Sequence, residues 1–520
     1  MDRTGAAETG QKRRGSLRGA IRHAALAGTS VVALATMMGA PSDALAQTWT
    51  GAGGNSTFGN TANWSSGSVP GLGNTMTINN ANLANYPIVN SSRVITQSNI
   101  SAGSLTISNN ATLTSNMNIT GTGLVTVDAD SSLEGTITVG TGGTLRISEG
   151  LGLNTNLRLS GSGQGQLGAL RSTASVSVRR TITLLANTQL RSESGTLDLN
   201  GITGSGFNLT AAGNGSFRFN SPIDIGTGSL ILNGSATSVF ALTGANTFTG
   251  PIEVNGGSLQ VSGGNNVIND TTRVILAGGT FLQLFASERI GGLEGSGTVS
   301  IGANQTFTFG DAQDHTFSGS IIVNGGGVHN ITKEGTGTQI LTGFVQHGGE
   351  TRINAGRLQL GDGGTTLNFS ATGPIVNNAA LEFNHSGFLS IFGAISGTGT
   401  VTQRGTGVTV LRSLNTYSGQ TTIAGGALRA NVANAFSALS AVSITGANAS
   451  LDLGGFNQTI GSLSGVASSI VRNGVAGNST LTTGGDNSST TFSGLIQNGF
   501  GTLSLVKTGT GNFTLTGSNT

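Results

Sequence analysis

Three stretches of this chain superimpose on one another, and that recurrence limits what the chain can fold into. Ile331–Gly343 (ITKEGTGTQILTG), Val401–Ser413 (VTQRGTGVTVLRS) and Leu505–Gly517 (LVKTGTGNFTLTG) each set a Gly-Thr-Gly turn between two alternating segments, followed by a Leu. The residues that follow repeat as well: Leu242–Val261 (LTGANTFTGPIEVNGGSLQV), Leu341–Leu360 (LTGFVQHGGETRINAGRLQL) and Leu411–Ala430 (LRSLNTYSGQTTIAGGALRA). The shared order is Leu-Thr-Gly, a turn with Asn or Gln, a Gly, an alternating strand, a Gly-rich turn, and Leu-x-apolar. Side chains of a strand alternate between two faces, so Ile252, Val254, Leu259 and Val261 share one face around the Gly256-Gly257 turn. One such unit has too little apolar surface to fold alone. Stacked units share a core, which is the logic of a solenoid. Gly supplies the positive φ that tight corners need, and Asn and Thr can hydrogen-bond to their counterparts in neighbouring coils. The alternative, an array of antiparallel sandwiches, does not explain one unit recurring with Gly at the same corners.

Composition agrees. Charged residues make up 9% of the chain, against about 25% in ordinary globular domains. Low charge with 36% apolar residues is not the signature of disorder, which pairs low hydrophobicity with high charge. Small polar residues between short apolar runs predict many short strands and turns. No long amphipathic helix is expected after residue 46. The pI of about 9.4 comes from the N-terminus, because residues 47–520 hold 18 basic and 19 acidic side chains. That balance leaves no electrostatic footprint for nucleic acid.

Met1–Ala46 is laid out as a signal peptide: a basic region to His23, an apolar run from Ala24 to Ala40, and an Ala44-Leu45-Ala46 box before Gln47. A transmembrane anchor would need about 20 strongly apolar residues, and this run is shorter and diluted by Gly28, Thr29, Ser30 and Thr36. Arg13-Arg14 matches a twin-arginine signal poorly. The expected fold class is therefore all-β, a right-handed parallel β-helix (β-solenoid) behind a cleaved signal peptide. The expected domains are 1–46 signal peptide, 47–100 N-terminal cap and first strands, and 101–520 solenoid, with the repeats clearest over 240–520. At about 22 residues and about 4.8 Å per coil, roughly twenty coils give a rod near ~100 Å.

The K-x-G-T-G-x-x-x-L-T-G element at Lys333–Gly343 and Lys507–Gly517 resembles the passenger-associated transport repeats of bacterial autotransporters. Gln403–Ser413 departs from it at Gln403, Arg412 and Ser413. Thr48-Trp49-Thr50-Gly51, followed by Asn63-Trp64 and Pro70, resembles the start of many such passengers. The resemblance implies a surface-exposed or secreted passenger of a type V secretion system and an outer-membrane β-barrel translocator as partner. No barrel sequence is recognised here, and the chain stops partway through a repeat. The expectation is a truncation before the barrel, or a barrel encoded separately. Absence of Cys suits export through an oxidising periplasm.

Several constellations bear on chemistry. Gly163-Gln-Gly165-Gln-Leu-Gly168 matches G-x-G-x-x-G but has no following helix to offer a phosphate. No Gly-x-Ser-x-Gly occurs, and of the four His after the leader (His315, His329, His347, His385) three lie inside or beside the repeats, where solvated turn or strand positions are expected. Asp311-x-x-Asp314-His315 is the densest polar cluster, expected as a Gly-rich loop bearing solvated acids, with cation binding as the alternative. Asp128 and Asp130 would share a face if both lie on a strand. Trp49, Trp64 and Tyr86 are expected to plug the open end of the solenoid rather than to stack a sugar. No catalytic, cofactor-binding or metal-ligating residues are assigned, and no cofactor is expected. The predicted function is an adhesin-like structural β-rod, not an enzyme, with host or neighbouring-cell surface ligands as further partners. The alternative is a carbohydrate-cleaving lyase or hydrolase on the same scaffold. Leu242, Leu341, Leu411 and Leu515 are expected to face the interior, and Gln339 or Thr342, if outward, to tolerate Ala.

Overall fold

The computed structural model describes residues 45–148, 152–365 and 367–519. The leader expected over Met1–Ala46 lies outside the described residues except for Leu45 and Ala46. Every paired strand among the described residues is parallel to its neighbour, across about 21 stacked coils. The β-solenoid is therefore observed, and the antiparallel sandwich is not.

The register gives the coil size. Phe307, Ile331, Thr351, Ile375 and Ile395 stand in one column, so successive coils there take 24, 20, 24 and 20 residues. A second column on another face runs Phe217, Phe240, Leu259, Leu282, Val299, Ile321, Val345, Phe369. All of these apolar side chains are buried. Each strand thus sends alternate side chains to the interior, and the core is one continuous apolar column. At about 4.8 Å per coil the stack is roughly 100 Å long.

The repeats that begin at Ile331 and Val401 do not stack on each other. Val401–Gln403 pairs through two intervening coils with Gln339–Leu341, not with Ile331–Lys333. The unit is therefore a corner with its flanking strands that can recur at another rotational position, as Leu411 does relative to Leu341, or return to the same one, since Leu341 and Leu515 share a column. What it preserves is the inside–outside pattern. Leu242, Leu341 and Leu411 are each at most 1% exposed, as expected. Leu515 is 40% exposed, because its strand pairs on one side only, with Phe492.

The same alternation corrects the expectation for Gln339. It lies two residues before Leu341, on the same inward face, and is fully buried. Its Nε2 donates to the carbonyls of Leu293 (3.0 Å) and His315 (3.3 Å). Thr342 is buried too.

At the N-terminal end, Trp49 and Trp64 form an antiparallel bridge with their rings edge to face at 5.0 Å. Phe58 packs on Trp64 at 4.9 Å. Both indoles are buried, and each Nε1 donates to a backbone carbonyl at 2.9 Å, of Asn85 and Phe58 respectively. Tyr86 is half-buried against the same cluster.

Candidate functional site

The corner unit carries three interior polar devices. The first sits at the Lys of K-x-G-T-G. Lys333 is 1% exposed, in a column between Phe309 and Ile353. Its ammonium folds back over the turn and donates to the carbonyls of Glu334, Gly335 (3.0 Å) and Ala355 (3.3 Å). Burial pulls its pKa down to about 8. Gly335 of this turn has φ +66°, and a Cβ there would strike the Asp311 carbonyl of the coil below. In the second unit Gln403 does the same work as a neutral group. It is fully buried, and its Nε2 donates to Gly405 O (2.9 Å) and Gly407 O (3.3 Å). Lys507 again reaches back to Thr508 and Gly509 carbonyls. Gln403, a departure from the repeat pattern, is thus a chemical equivalent.

The second device is the Asn after Leu-x-x-x. Asn246 Oδ1 accepts from Ile223 N (2.8 Å) in the coil below, while its Nδ2 donates to Val267 O (2.7 Å) in the coil above. Asn415 accepts from Ile395 N (2.6 Å) and donates to Ala435 O (2.5 Å). One amide therefore satisfies a backbone donor and a backbone acceptor of different coils where no regular strand pairs them. In the unit between, Val345 takes this position and sits in a strand pairing with Ile321 and Phe369. Glu288 plays a related part with a carboxylate, accepting from Val267 N and Ile268 N, and burial pushes its pKa up to about 7.

The third device lies two residues further on, where Phe248, His347 and Tyr417 are equivalent and all buried. His347 Nε2 and Tyr417 Oη each meet the Thr four residues later, Thr351 (3.0 Å) and Thr421 (2.8 Å). Burial lowers His347 to about 4 and raises Tyr417 to about 12.

These positions overturn the expectation for the histidines: His315, His329, His347 and His385 are all at most 5% exposed. His315, His347 and His385 each meet side-chain partners in the interior. Thr409 Oγ1 gives its proton to Gln403 Oε1 (2.6 Å), so His385 Nε2 donates to that hydroxyl (2.8 Å), and burial lowers the His385 pKa.

The Asp311 cluster is not a loop of solvated acids. His315 bridges Asp311 through Nε2 (2.9 Å) and Glu294 through Nδ1 (2.8 Å), and Arg273 approaches the same Glu294 oxygen at 3.2 Å. Asp314 instead accepts from Thr338 N, which holds its carboxyl below the usual range. No group of three or more His, Cys, Asp or Glu suited to a metal occurs among the described residues. Asp128 and Asp130 do not share a strand face. They lie in a turn, with Asp130 at φ +60°, and Asp128 accepts from Ser148 of the next coil (3.1 Å). The Gly163–Gly168 match holds only a three-residue 3-10 turn, Gln164–Gln166.

Four segments match the passenger-associated-transport-repeat family: residues 237–261, 331–360, 401–430 and 505–520. They coincide with the corner units just described. These repeats make the chain similar to autotransporter passengers. It is similar to the adhesin BmaC autotransporter of Brucella suis biovar 1 (strain 1330), 34% identical over 179 residues, which are 34% of this passenger and 5% of that protein. The passenger therefore corresponds to a small part of the relative's length. No solved structure matches it. A passenger of this kind is exported to the cell surface or the extracellular space.

Proposed function

We propose that this passenger is an adhesive β-rod that holds binding surfaces away from the cell and has no catalytic chemistry of its own. The observation that carries the reading is the coincidence of the stacked parallel coils with the adhesin similarity and the transport repeats. The polar side chains sequence analysis singled out for chemistry bridge coils and backbone instead of converging on an open cleft. That supports a scaffold over the carbohydrate-cleaving alternative. We further propose delivery by an outer-membrane β-barrel translocator, and ligands on host or neighbouring cells. The test is retention of beads coated with the purified chain on cultured host-cell layers and on bacterial lawns, against albumin-coated beads. Retention above the control on either surface is expected, and retention at the control level on both would refute adhesion. Release of reducing ends from a polysaccharide panel would refute the non-enzymatic reading.

A further inference from the structure

One side of the rod differs from the rest. On the strand Phe388–Ile391, Leu389 and Ile391 point inward, so Phe388 and Ser390 point outward. Phe388 is 61% exposed and Phe392, just past the strand, 45%. Single exposed apolar residues are ordinary, but two phenylalanines on one strand face flanking a Ser, over a groove lined by Asn368 and Ser370, are a built surface. Arg412 of the next coil lies over the Phe392 ring at 5.3 Å and donates from Nε to Ser390 Oγ at 2.9 Å.

The Ser390 column continues up the rod as Val410, Arg429, Asp452, Arg472 and Gln497. Asp452 is buried between the two arginines. Its Oδ2 takes Arg429 at 2.9 Å and Arg472 at 3.5 Å, and its Oδ1 accepts from Gly454 N and Gly474 N. One carboxylate therefore fixes two guanidiniums, leaving one positive charge in surplus where they line a second groove with Gln497. Residues 404–485 hold four Arg and one acid, in a chain whose residues 47–520 are near neutral. From Ser390 to Gln497 is five coil steps, roughly 24 Å.

We propose that this face binds an acidic polysaccharide lying along the rod axis. The phenylalanine rings would stack on the apolar faces of sugar rings, and Arg412, Arg429 and Arg472 would take its carboxylate or sulfate groups. The proposal rests on the adhesive reading above. The pattern favours a polymer of sugar rings that carry acidic groups, whose rings meet the phenylalanines and whose charges meet the arginines. Nucleic acid is disfavoured because residues 47–520 are near neutral overall and its binding rests on a broad positive surface for its phosphates.

The test is biosensor titration of the full chain at low salt against immobilised polygalacturonate, dextran sulfate, neutral dextran and oligothymidylate. Binding to one or both acidic glycans is expected, with none to neutral dextran, and the two acidic arms separate carboxylate from sulfate recognition. Phe388→Ser with Phe392→Ser, and separately Arg412→Gln, should each weaken it about tenfold. The triple variant Arg429→Gln, Asp452→Asn, Arg472→Gln avoids leaving a buried unpaired acid and should do the same. Arg171→Gln with Arg218→Gln, on distant coils, should change nothing. No binding to either acidic glycan, equal loss in the distant pair, or oligothymidylate binding as tightly would each overturn the proposal. Bead retention on cells without glycan binding would sink it while leaving adhesion standing, and glycan binding without retention would do the reverse.

Discussion

Lys333 shows how a single residue sets the chemistry of a corner. Its ammonium serves three carbonyls, and Gln403 serves two in the same role. Lys333→Gln should therefore cost under about 1.5 kcal/mol, while Lys333→Ala leaves a cavity and orphaned carbonyls and should cost about 3–5 kcal/mol. Urea unfolding followed by local proteolysis checks both. Because the folded pKa lies near 8, below the ordinary 10.5, the unfolded chain holds this proton to higher pH. Stability should therefore rise between about pH 8 and pH 10.5 in the wild type, and Lys333→Gln should lose that rise. His347 gives the acid-side counterpart. Its folded pKa near 4 lies below the ordinary 6.5, so the stabilisation it holds above pH 6.5 is lost as pH falls towards 4. The loss is about 3 kcal/mol if the full shift is realised. His347→Phe, which copies Phe248 of the equivalent unit, should flatten that limb. An unchanged acid limb would show that His347 is hydrated or already charged in the fold.

At the scale of the corner and its strands, Asn246 and Asn415 replace a missing strand pairing with one side chain. Asn415→Ala would leave Ile395 N and Ala435 O buried and unpaired, at a cost of about 2–4 kcal/mol. Amide exchange should quicken first at Ile395, and protection there equal to wild type would contradict the bridging role. The corner was the most legible part of the sequence. Alternation around Gly-Thr-Gly puts Leu341 and Leu411 inside, and the shared Leu-Thr-Gly pattern does the same for Leu242, since period two and turn chemistry are local. The same alternation, carried two residues back, also puts Gln339 inside. The sequence leaves open whether a polar residue there faces outward, because its partners, Leu293 and His315, lie 46 and 24 residues away. The histidines were misplaced for that reason. Polarity suggests solvent until the coil above and the coil below are known, and coil lengths of 20 and 24 residues hide which residues those are. The arginine column of the Phe388 face was invisible for the same cause. Ser390, Val410, Arg429, Asp452 and Arg472 fall at no fixed spacing.

Across the described residues strand pairing joins each coil to its neighbours, with a single amide such as Gln339 reaching one coil further to Leu293, and that decides how the rod fails. Leu341 sits between Phe317 below and Leu360 above. Burying a Leu is worth about 1.5–3 kcal/mol, and truncation leaves a cavity besides, so Leu341→Ala should cost about 2–5 kcal/mol. In a single-core globule that loss would lower the stability of every residue together. In a one-dimensional stack it falls on the coils that share the cavity, and distant coils keep their own interfaces. Limited proteolysis of Leu341→Ala should thus open new cuts between about Phe317 and Leu360, while the long paired strands Arg93–Ile107 and Thr112–Val127 stay as protected as in the wild type. Leu242 and Leu411 are buried like Leu341 in their own repeats, so Leu242→Ala and Leu411→Ala should each give a comparable loss at its own coil. Leu515, half-open with a partner on one side only, should cost clearly less when truncated. A single cooperative transition that exposes the Arg93–Ile107 strand together with residue 341 would mean that the core is shared along the whole length. The solenoid would then behave as one globular domain despite its coils.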